Sequence, residues 1–219
     1  MRTLAFDSAG AQCAAAVAVD GEVVAAAAVT ARHGHAELLA PMIADVLARA
    51  GVAPAALDRV AVTRGPGGFT GVRVGLATAR GLALATGAAV WAPTTFEALL
   101  LALPPGEREA VLAVVESRLQ PVYAQPFDTG LAPLAPPAAC APEGLAALLS
   151  PGVRRPLVVG DAAVRAAAAL EAAGLEPAVM ERAPDARAMA REAARVAESA
   201  LGLPSPLYLA PPAVTVPAP

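Results

Sequence analysis

The chain has 219 residues, of which 57% are hydrophobic and 16% are charged, and its formal net charge at pH 7 is −3. This apolar content excludes a disordered chain, and the slight negative charge argues against a large nucleic-acid-binding face on this chain alone. All 16 basic residues are arginine, so no Walker A lysine, Schiff-base lysine or Ser-Lys dyad exists here.

The first half of the chain predicts three strands followed by alternating helices and strands. The strands are expected at 2–8, 12–19 and 22–30, and Asp20-Gly21 is a hairpin signal between the last two. A helix is expected at 35–50, where Pro41 should kink it or mark a late start and Gly51 should end it. The next predicted elements are a strand at 58–63, a helix at 70–86 with Thr70 as N-cap, a strand at 88–92 and a helix at 95–103.

The second half repeats this order of elements without repeating the sequence. Its predicted elements are strands at 110–116, 120–127 and 130–134, a helix at 142–149, a strand at 156–160, a helix at 161–173, a strand at 177–180 and a helix at 185–201. Three antiparallel strands followed by alternating α and β are typical of a ribonuclease-H-like lobe. We therefore predict an α/β protein of two tandem ribonuclease-H-like lobes, as in actin, Hsp70 and the sugar kinases. The expected division is a first lobe at 1–104, a second at 105–203 and a proline-rich tail at 204–219.

Few side chains are available for catalysis. The two histidines, His33 and His35, are too close in sequence to share a metal on a helix, although they would do so in an extended segment with an acid such as Asp7 as third ligand. They are otherwise two solvated histidines ahead of a helix. Of the two cysteines, Cys13 lies in an apolar run and is expected in the core, and no CxxC pair is present. The N-terminus begins directly as a strand without a signal-peptide hydrophobic region, which predicts a cytoplasmic protein.

The stretch from Arg64 to Gly75 is the most unusual in the chain. A glycine-rich turn opening a helix is either an anion site or simply a sharp strand-to-helix turn that glycine permits. Asp7 fits the carboxylate that an actin-like ATPase needs on its first strand, but no glycine-rich turn follows Glu116 in the second half. A kinase or ATPase is therefore the weakest of our hypotheses, and no bound cofactor is expected.

The helix after this stretch carries small residues at every fourth position, namely Gly71, Gly75 and Ala79. Four-residue spacing keeps them on one face, and a glycine in a helix interior costs about 1 kcal/mol relative to alanine. Such a cost predicts the close approach of another backbone, which is either a partner helix or the chain's own sheet. Arg73 and Arg80 lie seven residues apart and are placed to flank an interface.

Several segments of the chain carry a resemblance to a known family. They are Leu4-Ala-Phe-Asp-Ser-Ala, His33-Gly-His35, Leu39-Ala-Pro41-Met, the highly specific Arg64-Gly-Pro-Gly-Gly-Phe-Thr-Gly-Val-Arg73-Val-Gly, Glu116-Ser-Arg118 with Val122-Tyr123, and Pro206-Leu-Tyr208-Leu209. In these segments the chain resembles the TsaB family, the bacterial dimerisation subunits of the tRNA threonylcarbamoyladenosine machinery. The resemblance is strong over 1–100 and thinner beyond, where Glu116-Ser117 replace Asp-Ala and Ala210 replaces Arg.

The resemblance implies a two-lobed, actin-like protein with a reduced second lobe and no catalysis of its own. Such proteins pair through first-lobe helices, with themselves as homodimers or with a TsaD-like catalytic paralogue, and a TsaE-like ATPase joins the complex. The complex transfers threonylcarbamoyl to N6 of adenosine 37 in tRNA. The resemblance therefore implies that this chain contacts tRNA only as part of the complex, and that no membrane is involved. The catalytic metal of TsaD is not carried over, because its two histidines are spaced differently from His33 and His35.

The residues predicted at this pairing interface all lie in the 70–86 helix. They are Thr70, Gly71, Arg73, Val74, Gly75, Thr78, Ala79 and Leu82. The alternative function is a metal-dependent, glycoprotease-like hydrolase that uses His33 and His35.

Overall fold

The structure is a computed structural model that describes residues 1–30, 34–104, 106, 108–117 and 121–210. Its first half contains β1 Arg2–Asp7, β2 Gln12–Val19, β3 Glu22–Thr30, α1 His35–Ala50, a 3₁₀ turn Pro54–Ala56, β4 Arg59–Val62, α2 Phe69–Thr86, β5 Ala89–Trp91 and α3 Thr95–Leu100. The second half contains β6 Val111–Glu116, β7 Val122–Phe127, β8 Ala138–Cys140, a 3₁₀ helix Pro142–Leu148, β9 Leu157–Gly160, α4 Ala163–Ala172, β10 Ala178–Glu181, α5 Ala186–Ala193 and a 3₁₀ turn Glu198–Ala200.

The strands form two five-stranded sheets with the same topology. The first has the order β3-β2-β1-β4-β5 and the second the order β8-β7-β6-β9-β10. In each, the first three strands pair antiparallel and the last two join in parallel. This repeated arrangement confirms the predicted pair of tandem ribonuclease-H-like lobes.

The two faces of the first sheet carry different kinds of side chain. Because successive strand residues point to opposite faces, Leu4 and Phe6 of β1 lie in a large-residue core with α1 and α2. Ala5 points the other way, into a second core built mostly of alanine, where Met189 of α5 packs. Alanine leaves room for a helix to approach the sheet closely, and α5 occupies this face.

The second sheet is also covered on both sides, but by shorter elements. Leu112 and Val114 of β6 pack with α4 and with the 3₁₀ helix, while Val111 and Val115 pack against α3. The 3₁₀ helix stands where the first lobe has α1, and α4 has 10 residues where α2 has 18. The second lobe is therefore reduced in the length of its helices, although its sheet keeps five strands.

Each half of the chain contributes a helix to the sheet of the other half. Helix α3 follows β5 in sequence and packs on β6 and β9. Helix α5 follows β10 and packs on β1, β2 and β4. The two lobes are thus interlocked. The predicted boundaries at 104 and 203 remain a proposal about how the sequence is divided between the lobes.

Several predicted elements differ in the structure. The strand predicted at 130–134 is reduced to one antiparallel bridge between Phe127 and Pro133. Leu131 has a positive φ of 68° and Pro133 offers no N–H, and the third strand of the sheet is β8 instead. The predicted helix at 142–149 is a 3₁₀ helix. Helix α1 begins at His35 and runs through Pro41, so Pro41 marks no late start, and Gly51 ends it in the left-handed conformation as predicted.

Candidate functional site

The loop between β4 and α2 is held against the segment that follows β1. Gly68 caps α2 and donates its N–H to the Ala9 carbonyl at 2.7 Å, and Ser8 Oγ donates to the Gly71 carbonyl at 2.9 Å. Thr70 is therefore not the N-cap, and the helix begins at Phe69 after Gly68. A Cβ at Gly67 would come within 2.5 Å of the Ala9 carbonyl oxygen. The glycines of this loop are explained by the crossing of two backbones, the conformational explanation given above.

The small-residue face of α2 is used inside the first lobe. Gly71, Gly75 and Ala79 are buried. A Cβ at Gly71 would overlap the Ser8 carbonyl, and one at Gly75 would lie 3.0 Å from Ser8 Oγ and 3.2 Å from Val62 Cγ2. These three residues of the predicted interface are therefore packed inside the first lobe, and at Gly71 the closely approaching backbone is the chain's own.

The opposite face of α2 faces solvent, and this outer face consists of Thr70, Arg73, Ala77, Gly81 and Leu84. Leu84 is 90% exposed, and a Cβ at Gly81 would meet nothing within 4 Å. Of the other predicted interface residues, Val74, Thr78 and Leu82 are half-buried at its margin. Gly81 and Leu84 are not among the predicted interface residues, and both lie on the side of the helix away from the small-residue face.

An aromatic cluster fixes the start of the outer face. The Arg73 guanidinium lies 3.5 Å from the centroid of the Phe69 ring, and its Nε donates to the Tyr208 hydroxyl at 3.0 Å. The two rings are 5.5 Å apart, and both are about two-fifths exposed. Cation–π contacts of this kind orient an arginine. The C-terminal segment thereby joins the outer face.

Carboxylates of both lobes lie near the cleft between them. Asp7 is buried at the end of β1, where Thr63 Oγ1 donates to it. On the other side, Asp161 accepts the Glu116 N–H at 2.8 Å, and a Cβ at Gly10 would lie 3.6 Å from Asp161 Oδ2. Burial, together with the negative charges of Glu116 and Glu181, raises the pKa of Asp161 above its usual range.

The remaining predicted groups are the two histidines and the cysteine Cys13. His33 lies outside the described residues, as does the side chain of His35. Within the described residues, no group of three or more metal-ligating side chains is close enough to hold an ion. Cys13 is buried as predicted, and burial raises the pKa of its thiol to about 11. No helix among the described residues is both long and apolar enough to cross a bilayer.

Sequence comparison assigns the chain to a family. The family model described as TsaD, tRNA N6-adenosine threonylcarbamoyltransferase, matches residues 28–156, which is more than half of the chain. The chain belongs to this TsaD family. The match covers α1, the glycine-rich loop, α2 and the second lobe as far as the 3₁₀ helix.

Relatives that carry the TsaB name confirm the resemblance seen in the sequence. The chain is 36% identical over 128 residues to the tRNA threonylcarbamoyladenosine biosynthesis protein TsaB of Escherichia coli, and 34% identical over 121 residues to that of Haemophilus influenzae. The alignments cover 56% and 55% of this chain but 53% and 51% of those proteins, so the chain spans about half the length of the curated relatives it matches. A tRNA N6-adenosine threonylcarbamoyltransferase of Novosphingobium aromaticivorans is 54% identical over 55 residues, 25% of this chain and 16% of that protein.

Solved structures show the same fold over nearly the whole chain. A Pseudomonas aeruginosa protein described as similar to the peptidase YeaZ superposes with a TM-score of 0.80 at 27% identity, covering 95% of this chain and 99% of that one. The structure described as YeaZ from the same organism gives 0.77 at 28% identity with the same coverage. An activator of 2-hydroxyisocaproyl-CoA dehydratase from Clostridium difficile, at 0.53 and 12% identity over 91% of this chain and 96% of that one, shares the fold alone.

Proposed function

We propose that the chain is a non-catalytic scaffold subunit of the complex that transfers threonylcarbamoyl to N6 of adenosine 37 in tRNA. The observation that carries this proposal is the match to the TsaD family model over 28–156, together with the TsaB name of its relatives. In this proposal the chemistry belongs to a TsaD-like partner, a TsaE-like ATPase joins the pair, and tRNA is met through the assembly.

The outer face of α2 is the surface that we propose for pairing, with a TsaD-like protein or with a second copy of this chain. Thr70 and Arg73 lie on this face, and Val74, Thr78 and Leu82 border it. A glycine in an exposed helix interior costs about 1 kcal/mol relative to alanine. A partner helix packed over Gly81 would account for this glycine, since glycine permits a close approach, and it would also cover the exposed Leu84.

The test is to mix the chain with the TsaD-like protein of its own organism and to measure association by size exclusion with light scattering. Gly81→Arg should abolish the mixed complex, because it puts a long charged side chain at the centre of the outer face while improving helix propensity. Val164→Arg is the matched control, since Val164 is 57% exposed on α4 of the other lobe.

The two failures of this test have different meanings. If no complex forms with the unaltered chain under any nucleotide condition, the scaffold function is rejected. If the complex forms and Gly81→Arg leaves it intact, the function stands and the interface lies elsewhere.

A further inference from the structure

A cavity of about 630 Å³ lies between the two lobes, apart from the outer face of α2. It is bounded by α3, by β7 and the turn after it, by the loop after β4 and by the C-terminal segment. Cavities of about 300–1,000 Å³ at the junction of two domains are typical small-molecule sites. Nothing in the proposed scaffold function makes use of this cavity.

The walls of the cavity are mainly apolar. They include Leu100 of α3, Phe127 of β7, Leu131 in the turn after β7 and Leu207 in the C-terminal segment. Burying the apolar body of a ligand against such walls is favourable by about 25 cal/mol for each Å² removed from water. The walls therefore suit a ligand with an aromatic or branched aliphatic body.

Arg64 supplies the positive charge at this cavity, and its main chain is held on both sides. Its N–H donates to the Pro93 carbonyl at 2.9 Å, and its carbonyl accepts the Leu207 N–H at 2.8 Å. Arg64 is half-buried and lines the cavity, and its guanidinium makes no hydrogen bond or ion pair with any residue that the structure describes. A guanidinium beside apolar walls is suited to bidentate pairing with a carboxylate.

Two further polar side chains, those of Gln125 and Glu97, line the cavity. Gln125 is buried, and its Nε2 donates to the Ala135 carbonyl at 3.2 Å, which leaves Oε1 as an acceptor. Glu97 caps α3, where its Oε2 accepts the Thr94 N–H at 2.6 Å, and it brings a negative charge to the same cavity. A polyanion such as a nucleotide would be repelled by Glu97, whereas a single carboxylate is matched by Arg64.

We infer that this interlobe cavity binds a small monocarboxylate with an apolar body, whose carboxylate pairs with Arg64. The inference rests on the cavity and on its side chains, so it stands or falls independently of the scaffold function.

The test uses 2-naphthoate and its neutral amide, 2-naphthamide, as probes of the full chain in isothermal titration calorimetry. We expect 2-naphthoate to bind at one site and 2-naphthamide at least tenfold more weakly, because a hydrogen-bonded charge pair contributes about 1.5–3 kcal/mol. Arg64→Gln should weaken 2-naphthoate at least tenfold and leave 2-naphthamide unchanged. Arg64→Lys should retain part of the preference, since it keeps the charge but loses the bidentate geometry.

Arg187→Gln is the matched control, because Arg187 lies beside a different groove and its loss should change neither affinity. Thermal unfolding of each variant checks that it folds. Equal affinities for the two probes, an Arg64→Gln variant that binds 2-naphthoate as well as the unaltered chain, or no binding of 2-naphthoate at millimolar concentration would each overturn the inference.

Discussion

Two glycines of the same helix, α2, lie in opposite environments. Gly71 faces the segment after β1, where a methyl group would overlap the Ser8 carbonyl oxygen. Gly81 faces solvent and has open space around its Cα. Glycine is thus required at the first position by the approach of two backbones, while the fold of this chain gives no reason for it at the second.

We therefore expect alanine to have opposite effects at these positions. Gly71→Ala should lower the free energy of unfolding by about 1–3 kcal/mol, the usual cost of overpacking. Gly81→Ala should raise it by up to about 1 kcal/mol, because alanine is the better helix former. Urea denaturation followed by circular dichroism measures both values. A neutral Gly71→Ala would show that the helix and the Ser8 carbonyl are not in close contact.

Asp161, near the cleft, should make the stability of the protein depend on pH. Burial raises the pKa of this carboxyl, and the charges of Glu116 and Glu181 act in the same direction. The folded protein therefore holds the Asp161 proton more tightly than the unfolded chain does. Its contribution to stability is present below the usual pKa of 3.8 and is lost as the pH rises through the raised value.

Asp161→Asn should accordingly stabilise the protein at neutral pH and have little effect at pH 3. The asparagine oxygen can still accept the Glu116 N–H, so the variant removes the charge and keeps this hydrogen bond. Urea unfolding between pH 3 and pH 7 should show a stability difference that opens above pH 3.8 and then becomes constant. A difference that is the same at every pH would contradict this assignment.

At the scale of the elements, a buried arginine binds the chain at the end of α5. Arg59 of β4 donates from Nη1 to the carbonyls of Ala193 and Val196 at 2.7 and 2.8 Å. The Ala193 carbonyl lies at the C-terminus of α5, where a positive charge is favourable. The helix predicted over 185–201 ends at Ala193, and Arg59 binds the carbonyls at and after this end.

Arg59→Met should lower the free energy of unfolding by about 2–4 kcal/mol, because it leaves buried carbonyls without a donor. The control is Glu198→Ala, which removes the ion-pair partner of Arg59. The Glu198 side chain is 82% exposed, and an exposed partner contributes at most about 1 kcal/mol. If chemical denaturation gave equal losses for the two variants, the ion pair rather than the carbonyl contacts would be the main interaction of Arg59.

Local sequence patterns predict some elements of this fold and fail to predict others. The strands of the first half are predictable because their apolar residues are continuous and Asp20-Gly21 marks the hairpin. The end of α5 and the identity of β8 were missed because they depend on contacts distant in sequence, such as Arg59 with Ala193. The motif at 64–75 led to the correct helix, but periodicity alone could not show that its glycine face turns inward. The cavity beside Arg64 is formed by residues from both lobes, and no local pattern indicates it.

At the scale of the whole molecule, the two lobes are not separate folding units in our interpretation. Helix α5 covers the alanine face of the first sheet, where Ala5, Ala16 and Ala61 are fully buried. Without α5 these residues would form an exposed apolar patch, which a folded protein rarely leaves uncovered. The proposed division at 104 therefore separates two stretches of sequence whose structures depend on each other.

A fragment of residues 1–104 should consequently fail to fold as a stable unit. We expect it to unfold without a cooperative transition in urea and to bind the dye anilinonaphthalene sulfonate, because its alanine face is open. Joining residues 183–203 to it through a long Gly/Ser linker should restore a cooperative transition, since the linked segment contains α5. The matched control is the same linked chain with Met189→Asp, which puts a charge at a fully buried position of this contact and should not regain cooperativity. If the fragment alone unfolded cooperatively at the urea concentration that unfolds the full chain, the first lobe would be independent and α5 would be dispensable to it.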